Sequence, residues 1–390
     1  MTQQKIYKEV SSYLKKGTKF LDVRHIVTLA WMIAAVIGSK SVNQAEWGSY
    51  VQSRAQKEDS NQKRWRRFLN NGRVKVEKIY VPLILQAISE LKEERLYLAL
   101  DTTVLWNKYC FVYLSVVVGG RGQPLLWMGL EHASASVAWE KYSPLLERAK
   151  DYLHDFSNIM LLADRGFANQ NLMGWLNGSH WNWAIRLPAD TLIYGVRRRG
   201  FGYNVRELYP PRREAVFYLN VQVWEEARFQ AHLALASVPG AKDKWAILTN
   251  EEPSLETFWQ YGLRFRIEHL FLDSKSGAFQ WQLSRVRSVE CLERLYLVIA
   301  IATLFSTLVG SAVEFNGSRS CVDAHYRRGL SFLKIGLRWL TSFVHKNFSF
   351  LRFDHLPVLP SAPCFASLKA RDRYYLKITF SFIREHDCAM

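Results

Sequence analysis

The chain has 390 residues, 49% of them hydrophobic and 22% charged. That balance excludes a largely disordered chain and suits two or three globular domains. Lysine and arginine total 52 against 35 aspartates and glutamates, a net charge of +17, which points to a polyanionic partner, nucleic acid or an acidic membrane surface.

The surplus sits at the two ends. Residues 1–95 carry 18 basic and 9 acidic side chains, residues 315–390 carry 12 and 5, and the middle carries 22 and 21. The ends therefore read as the parts that grip the polyanion, and the nearly neutral middle must carry any chemistry. Five scattered cysteines, with no CxxC pair, exclude a disulfide scaffold and suit a reducing cytoplasm. The histidines show no zinc-ligand spacing. The N-terminus lacks the basic region and apolar run of a signal peptide, so a cytoplasmic protein is expected.

In chain order, Val10 to Leu21 and Val23 to Ile37 show helical apolar spacing. Gly38-Ser39 is a break, and Ser41 is placed to cap the next helix. A basic, aromatic stretch follows with Lys63, Arg64, Arg66 and Arg67, and another helix is expected from Val76 to Glu94. Several short helices with a basic one among them suit a helical DNA-binding module over residues 1–95.

The character changes at Leu96. Leu96 to Asp101 reads as a buried strand ending on an acid. Tyr109 to Val118 and Gln123 to Met128 form a hairpin about a Gly-rich turn. A helix from Trp139 to His154 precedes a second buried strand ending on an acid, Ile159 to Asp164. Helix Gln170 to Asn177 and strand Trp181 to Leu187 complete the segment 96–187. Residues 188–245 break the alternation with strand-like runs and basic clusters, and read as an inserted β-rich unit. Trp245 to Asn250 is a further strand within the segment 246–314, and a long helix is expected from Ser254 past Glu268. Leu295 to Val313 is uncharged for 19 residues, but Thr303, Ser306, Thr307, Gly310 and Ser311 weaken it as a membrane span, so a buried core helix is expected and no membrane partner. Ala324 to Leu340 reads as an amphipathic basic helix within the mostly helical C-terminal region 315–390, available to DNA or a second subunit.

Two acids at strand ends are rigidly aimed. On a continuous helix at about 100° per residue, Tyr261, Arg264, Glu268 and Lys275 fall within roughly 60° of arc, flanked by apolar residues on both sides. The ordinary solvent face lies elsewhere, at His269, Asp273 and Arg266. A buried charged strip needs compensation. A structural Arg264–Glu268 ion pair is one reading, and it leaves Lys275, about 10 Å further along the axis, for a neighbouring phosphate.

The run Tyr261-x2-Arg264-x3-Glu268-x6-Lys275 resembles the signature of the insertion-sequence-four family of bacterial DDE transposases. Asp101-Thr-Thr and Asp164-Arg-Gly-Phe resemble that family's two aspartate motifs, in the same order, and the resemblance covers roughly residues 96–310. It implies a ribonuclease-H-like mixed α/β core with an inserted β-rich domain, and Asp101, Asp164 and Glu268 as catalytic ligands of two Mg²⁺ ions, with Mn²⁺ as substitute. It implies a cut-and-paste enzyme that cleaves double-stranded DNA at transposon ends and joins the 3′ ends to a target, working as a homodimer, through a DNA hairpin in characterised relatives. Tyr261, Arg264 and Lys275 would grip phosphates, with Arg165 beside them, and Trp224 would stack a flipped base unless it is a core tryptophan of the insertion. Lys63, Arg64, Arg66 and Arg67 are expected on the DNA. A catalytically silent DNA-binding descendant and a structure-specific endonuclease on the same core are the alternatives.

Overall fold

The computed structural model describes residues 3–18, 22–52, 57–198, 200–237, 243–324, 330–356 and the backbone of 379–383. Helices α1 (Gln3–Gly17) and α2 (Val23–Ser39) come first. Asp22 caps α2 by accepting from the Arg24 N–H, and Lys40 stops it in the left-handed region at φ 56°, at the expected break. Ser41 does not begin a helix; short 3₁₀ turns at Gln44–Glu46 and Gly48–Tyr50 follow, the first capped by Asn43. Helix α3 (Glu58–Leu69) buries Asn61, Trp65, Phe68 and Leu69. Helix α4 (Val76–Ala87) stops short of Glu94.

Strands β1 (Arg95–Leu105), β2 (Tyr109–Val118) and β3 (Arg121–Glu131) precede α5 (Trp139–Tyr152), β4 (Asn158–Ala163), α6 (Gln170–Gly178) and β5 (Asn182–Arg186). This is the expected order of three strands, helix, strand, helix, strand. One expectation fails: β1 runs four residues beyond Asp101, so that acid lies within the strand. The extension ends in a two-residue turn at Trp106-Asn107, with φ of 52° and 50°, the left-handed pair that suits a tight hairpin turn.

The segment 188–245 supplies β6 (Leu192–Tyr194), β7 (Tyr203–Asn204), the short helix α7 (Val205–Leu208), β8 (Glu214–Val223) and β9 (Phe229–Ala236), and β10 (Trp245–Thr249) follows. The long helix expected from Ser254 forms and runs past Glu268, with Ser254 as its cap, but its winding changes along the way. Helix α8 (Leu255–Gly262) gives way to a 3₁₀ turn at Leu263–Phe265, then α9 (Arg266–Leu272), then a wide π-type turn at Asp273–Gly277. Helices α10 (Val289–Phe315) and α11 (Phe332–His345) and strand β11 (Thr379–Ile383) complete the chain. The basic helix expected over 324–340 thus begins only at Phe332, and residues 325–329 of it lie outside the described residues.

The chain divides into two compact units. One comprises residues 1–92, 102–135 and 266–364, and the other comprises 93–101, 136–265 and 365–390. The second unit is built on a mixed sheet. β1, β4 and β5 are parallel neighbours, and β10, β9, β8, β6 and β7 continue antiparallel from β5. β11 pairs parallel with β8. The strands of 188–245 therefore extend one sheet through the β9–β10 pairing. Phe258 and Tyr261 of α8 pack on it against Met160, Leu162, Ala184, Phe217 and Ile247.

The β8–β9 ladder shifts register between Tyr218 and Val221, with Asn220 at φ 55°. The Asn220 N–H donates to His232 Nδ1 at 3.2 Å, so the ring nitrogen must be unprotonated. Burial, more than any neighbouring charge, lowers the His232 pKa. The unfolded chain then takes up this proton first as pH falls. Stability from His232 is present above about pH 6.5 and lost as pH drops through the folded value. Denaturant unfolding at pH 7.5 and 5.5 should show the loss, and His232→Gln should diminish it.

The first unit is organised by α10. Its apolar stretch is long enough to cross a membrane but is fully buried, packed by α2, α4, α11 and β3, as the buried-core reading expects. α10 meets α11 at glycines: a Cβ on Gly310 would stand 1.8 Å from the Phe332 carbonyl oxygen, and one on Gly336 would stand 1.7 Å from that of Ser306. The β2–β3 hairpin turns at Gly119-Gly120, both at positive φ. Arg121, just past the turn, lies 3.6 Å from Asp273.

Candidate active site

In the second unit, the parallel register of β1 and β4 pairs Leu98 with Leu161, Ala99 with Leu162 and Leu100 with Ala163. The next two positions are Asp101 and Asp164. Asp164 keeps extended backbone, φ −79° and ψ 170°, so each aspartate directly follows the last register pair, Leu100 with Ala163. The same local pattern, an apolar run closed by an acid, builds both positions. The runs are buried on both faces, as parallel strands require, and each acid is only part-buried. Asp164 ends its strand as the cap of the 3₁₀ turn Arg165–Phe167, its Oδ1 accepting from the Arg165 N–H at 2.7 Å. Arg165 itself is exposed.

The guanidinium of Arg264 donates to Asp101 Oδ2 at 3.0 Å, with the arginine side chain 5% exposed and the aspartate 18%. It also lies 4.5 Å over the Phe265 ring. Arg264 is therefore committed to Asp101, a pairing across 163 residues that no local spacing reveals. Tyr261 was expected on a phosphate; it is fully buried, edge-on to Trp245 and Phe265. Burial pushes its phenol pKa well up, with Arg264 opposing and Asp164 adding to the rise. A neutral phenol in an apolar cluster packs α8 and the turn that carries Arg264 onto the sheet. Trp224 is half-buried at the β8–β9 turn, at φ 65° and edge-on to Phe229.

Glu268 and Lys275 belong to the first unit. The change of winding at 263–265 puts the four signature residues on α8, the 3₁₀ segment, α9 and the π-type segment, and they do not share one environment: Tyr261 and Arg264 are buried, Lys275 is half-buried and Glu268 is exposed. The expected solvent face is also corrected: Glu268 is exposed, whereas Asp273 is 4% exposed. Burial raises the Asp273 pKa, against the pull of Arg121 and Lys334. Lys275 is half-buried, its ammonium donating to the Val104 carbonyl at 3.1 Å, and burial lowers its pKa. On α3, Lys63, Arg66 and Arg67 are exposed, with Lys63 paired to Asp59 at 2.6 Å. Arg64 instead turns inward, Nε donating to Thr28 Oγ1 at 3.1 Å and the guanidinium over Trp65.

Asp101 and Asp164 offer the hard carboxylate oxygens that suit a divalent cation of the Mg²⁺ type. Two negative charges directly after one register pair repel, and a cation relieves that repulsion as Arg264 does in part. Among the described residues no group of three His, Cys, Asp or Glu side chains is assembled as a metal site; Asp101 and Asp164 belong to the second unit and Glu268 to the first.

Among curated proteins, none matches the chain. Among solved structures, the cryo-EM structure of a piggyBac transposase synaptic complex with hairpin DNA is 12% identical, with 95% of this chain and 89% of that one covered, at a TM-score of 0.44, too slight a likeness to argue from. The family model for the transposase DDE domain matches residues 107–305. That match spans just over half of the chain and runs through Asp164 and Glu268, and so the chain belongs to the transposase DDE domain family.

Proposed function

We propose that this protein is a cut-and-paste transposase of the insertion-sequence-four type. It would bind the inverted-repeat ends of a mobile element in a bacterial cytoplasm, cleave the DNA there and join the 3′ ends to a target. The observation that carries the reading is the parallel β1–β4 register, which ends at Leu100 and Ala163 with Asp101 and Asp164 as the next residues, in a chain of this family. Those two carboxylates would hold divalent cations, Mg²⁺ or Mn²⁺, with Glu268 as the third ligand. Two such ions, when bound, stabilise charge on the attacking and leaving oxygens of a phosphodiester.

The chain's own groups have separable tasks. The β1–β4 pairing orients both aspartates, so little reorganisation is needed when their charge is compensated. Arg264 fixes the Asp101 carboxylate through a charge-assisted hydrogen bond. Tyr261 holds Arg264's segment against the sheet and excludes water from the pair. Lys275, half-buried and tied to the Val104 carbonyl, is placed in this proposal as a point charge for a phosphate. The exposed cations of α3 and the basic chain ends supply sequence-independent affinity. A hairpin intermediate and action as a homodimer on paired ends complete the proposal.

The test is cleavage of a labelled fragment carrying the flanking inverted repeat, with Mg²⁺, comparing the wild type with Glu268→Gln. A cut at the repeat boundary that vanishes in the variant, with DNA affinity retained, is the expected result. Specific binding without any cut, in Mg²⁺ or Mn²⁺, would instead identify a silent DNA-binding descendant.

A further inference from the structure

The first unit contains a groove of about 580 Å³. Its walls are the stretch Val42–Ala45, one face of α3, and the stretch Ser284–Ser288 that leads into α10. The charged part of the lining is one-signed: Arg66, Arg285 and Arg287 reach it beside the amides of Asn43, Gln62 and Asn70 and the apolar Leu69 and Val286, and no carboxylate lines it. Two exposed acids bond to residues of the lining. Glu46 accepts from Asn43 Nδ2 at 2.8 Å, and Glu290 accepts from Ser288 Oγ at 2.8 Å. All three arginines are exposed, so their forks are available to an anion.

Arg287 is held in place before any ligand arrives. Its guanidinium lies 4.4 Å over the Trp106 ring and donates to the Ser284 and Val286 carbonyls, each at 3.1 Å. Trp106 is itself pinned, its Nε1 donating to the Gln282 carbonyl at 2.9 Å. Yet it sits in the left-handed region at φ 52° and remains 36% exposed. A bulky aromatic at positive φ is costly and persists only where its surroundings enforce it. Here the strained turn delivers the platform on which Arg287 rests, and a pre-placed arginine loses less side-chain freedom on binding.

We propose that this groove binds the sugar–phosphate backbone of duplex DNA, with Arg66, Arg285 and Arg287 each on a phosphate and the amides on further backbone oxygens. Several forked cations and neutral hydrogen-bonding amides along one groove match a run of phosphates better than one isolated anion. The inference rests on the DNA-acting reading above for the identity of its partner, but it concerns residues outside the proposed chemistry.

The test measures affinity for a mixed-sequence duplex against salt concentration, because each phosphate contact adds about one unit to the slope of log K on log salt. Arg285→Ala/Arg287→Ala should flatten the slope by about two units, and Arg285→Lys/Arg287→Lys should preserve it, with wild-type melting in both. If the alanine pair fails to fold, Arg66→Ala on the exposed face of α3 should flatten the slope by about one. An unchanged slope in a folded alanine variant overturns the proposal. Cleavage activity read in parallel separates the two claims. A wild type that cuts DNA while the alanine pair keeps its slope leaves the transposase standing and removes the groove. A wild type that never cuts, with a flattened slope in the pair, does the reverse.

Discussion

Asp164→Asn is expected to lower DNA cleavage by roughly 10³-fold or more while leaving the melting temperature unchanged. Loss of one carboxylate from a metal-holding pair removes several kcal/mol of transition-state stabilisation, and about 1.4 kcal/mol is a factor of ten. Asp164 is the cleaner of the two aspartates to change. Its Oδ1 accepts from the neighbouring Arg165 N–H, and an asparagine oxygen can accept the same bond. Asp101→Asn should lose cleavage to the same degree and lose stability as well, up to about 3 kcal/mol, because it leaves the buried Arg264 guanidinium without its counter-charge. Parallel cleavage and unfolding measurements would separate these outcomes. An Asp101→Asn protein as stable as wild type would show that the Arg264 pair does not support the fold. An Asp164→Asn protein with near-normal cleavage would remove the aspartate pair from the chemistry.

The largest loss of stability is expected at the α10–α11 crossing. Gly310→Ala and Gly336→Ala each place a methyl group within 2 Å of a backbone oxygen on the facing helix. Backbone cannot step aside as a flexible side chain can. The helices must separate, and separation opens the packing of Phe332, Ile335 and Leu340 around fully buried α10. A cost of about 3 kcal/mol or more follows for each. Most of the variant chain should be recovered insoluble or should unfold at much lower denaturant than wild type. By contrast, Gly174→Ala, where nothing lies within 4 Å of the added carbon, should be close to neutral or slightly stabilising because it sits inside α6. A wild-type midpoint for Gly310→Ala would mean that the two helices do not approach at this glycine in solution.

The sequence by itself determined the elements that rest on local pattern. Apolar spacing placed α2 and α4 and the second half of α1, the basic aromatic stretch marked α3, and alternating or continuous apolar runs placed β1 to β5 in their order with α5 and α6. The matching runs before Asp101 and Asp164 marked both acids, and small polar residues inside Leu295–Val313 marked a core helix. Only the tertiary structure decided the rest. The Asp101–Arg264 pair joins residues 163 positions apart, and the β1–β4 register that closes just before Asp101 and Asp164 is a property of two strands together. The helix expected through Glu268 tightens to 3₁₀ after Gly262 and widens after Leu272, so its side chains do not keep the regular α-helical spacing. The groove of Arg66, Arg285 and Arg287 likewise gathers cations from two distant segments, with Trp106 from a third beneath Arg287. Local pattern reports which face of an element avoids water; which elements those faces meet is set by packing and charge compensation across the whole chain, and no short window of sequence contains that information.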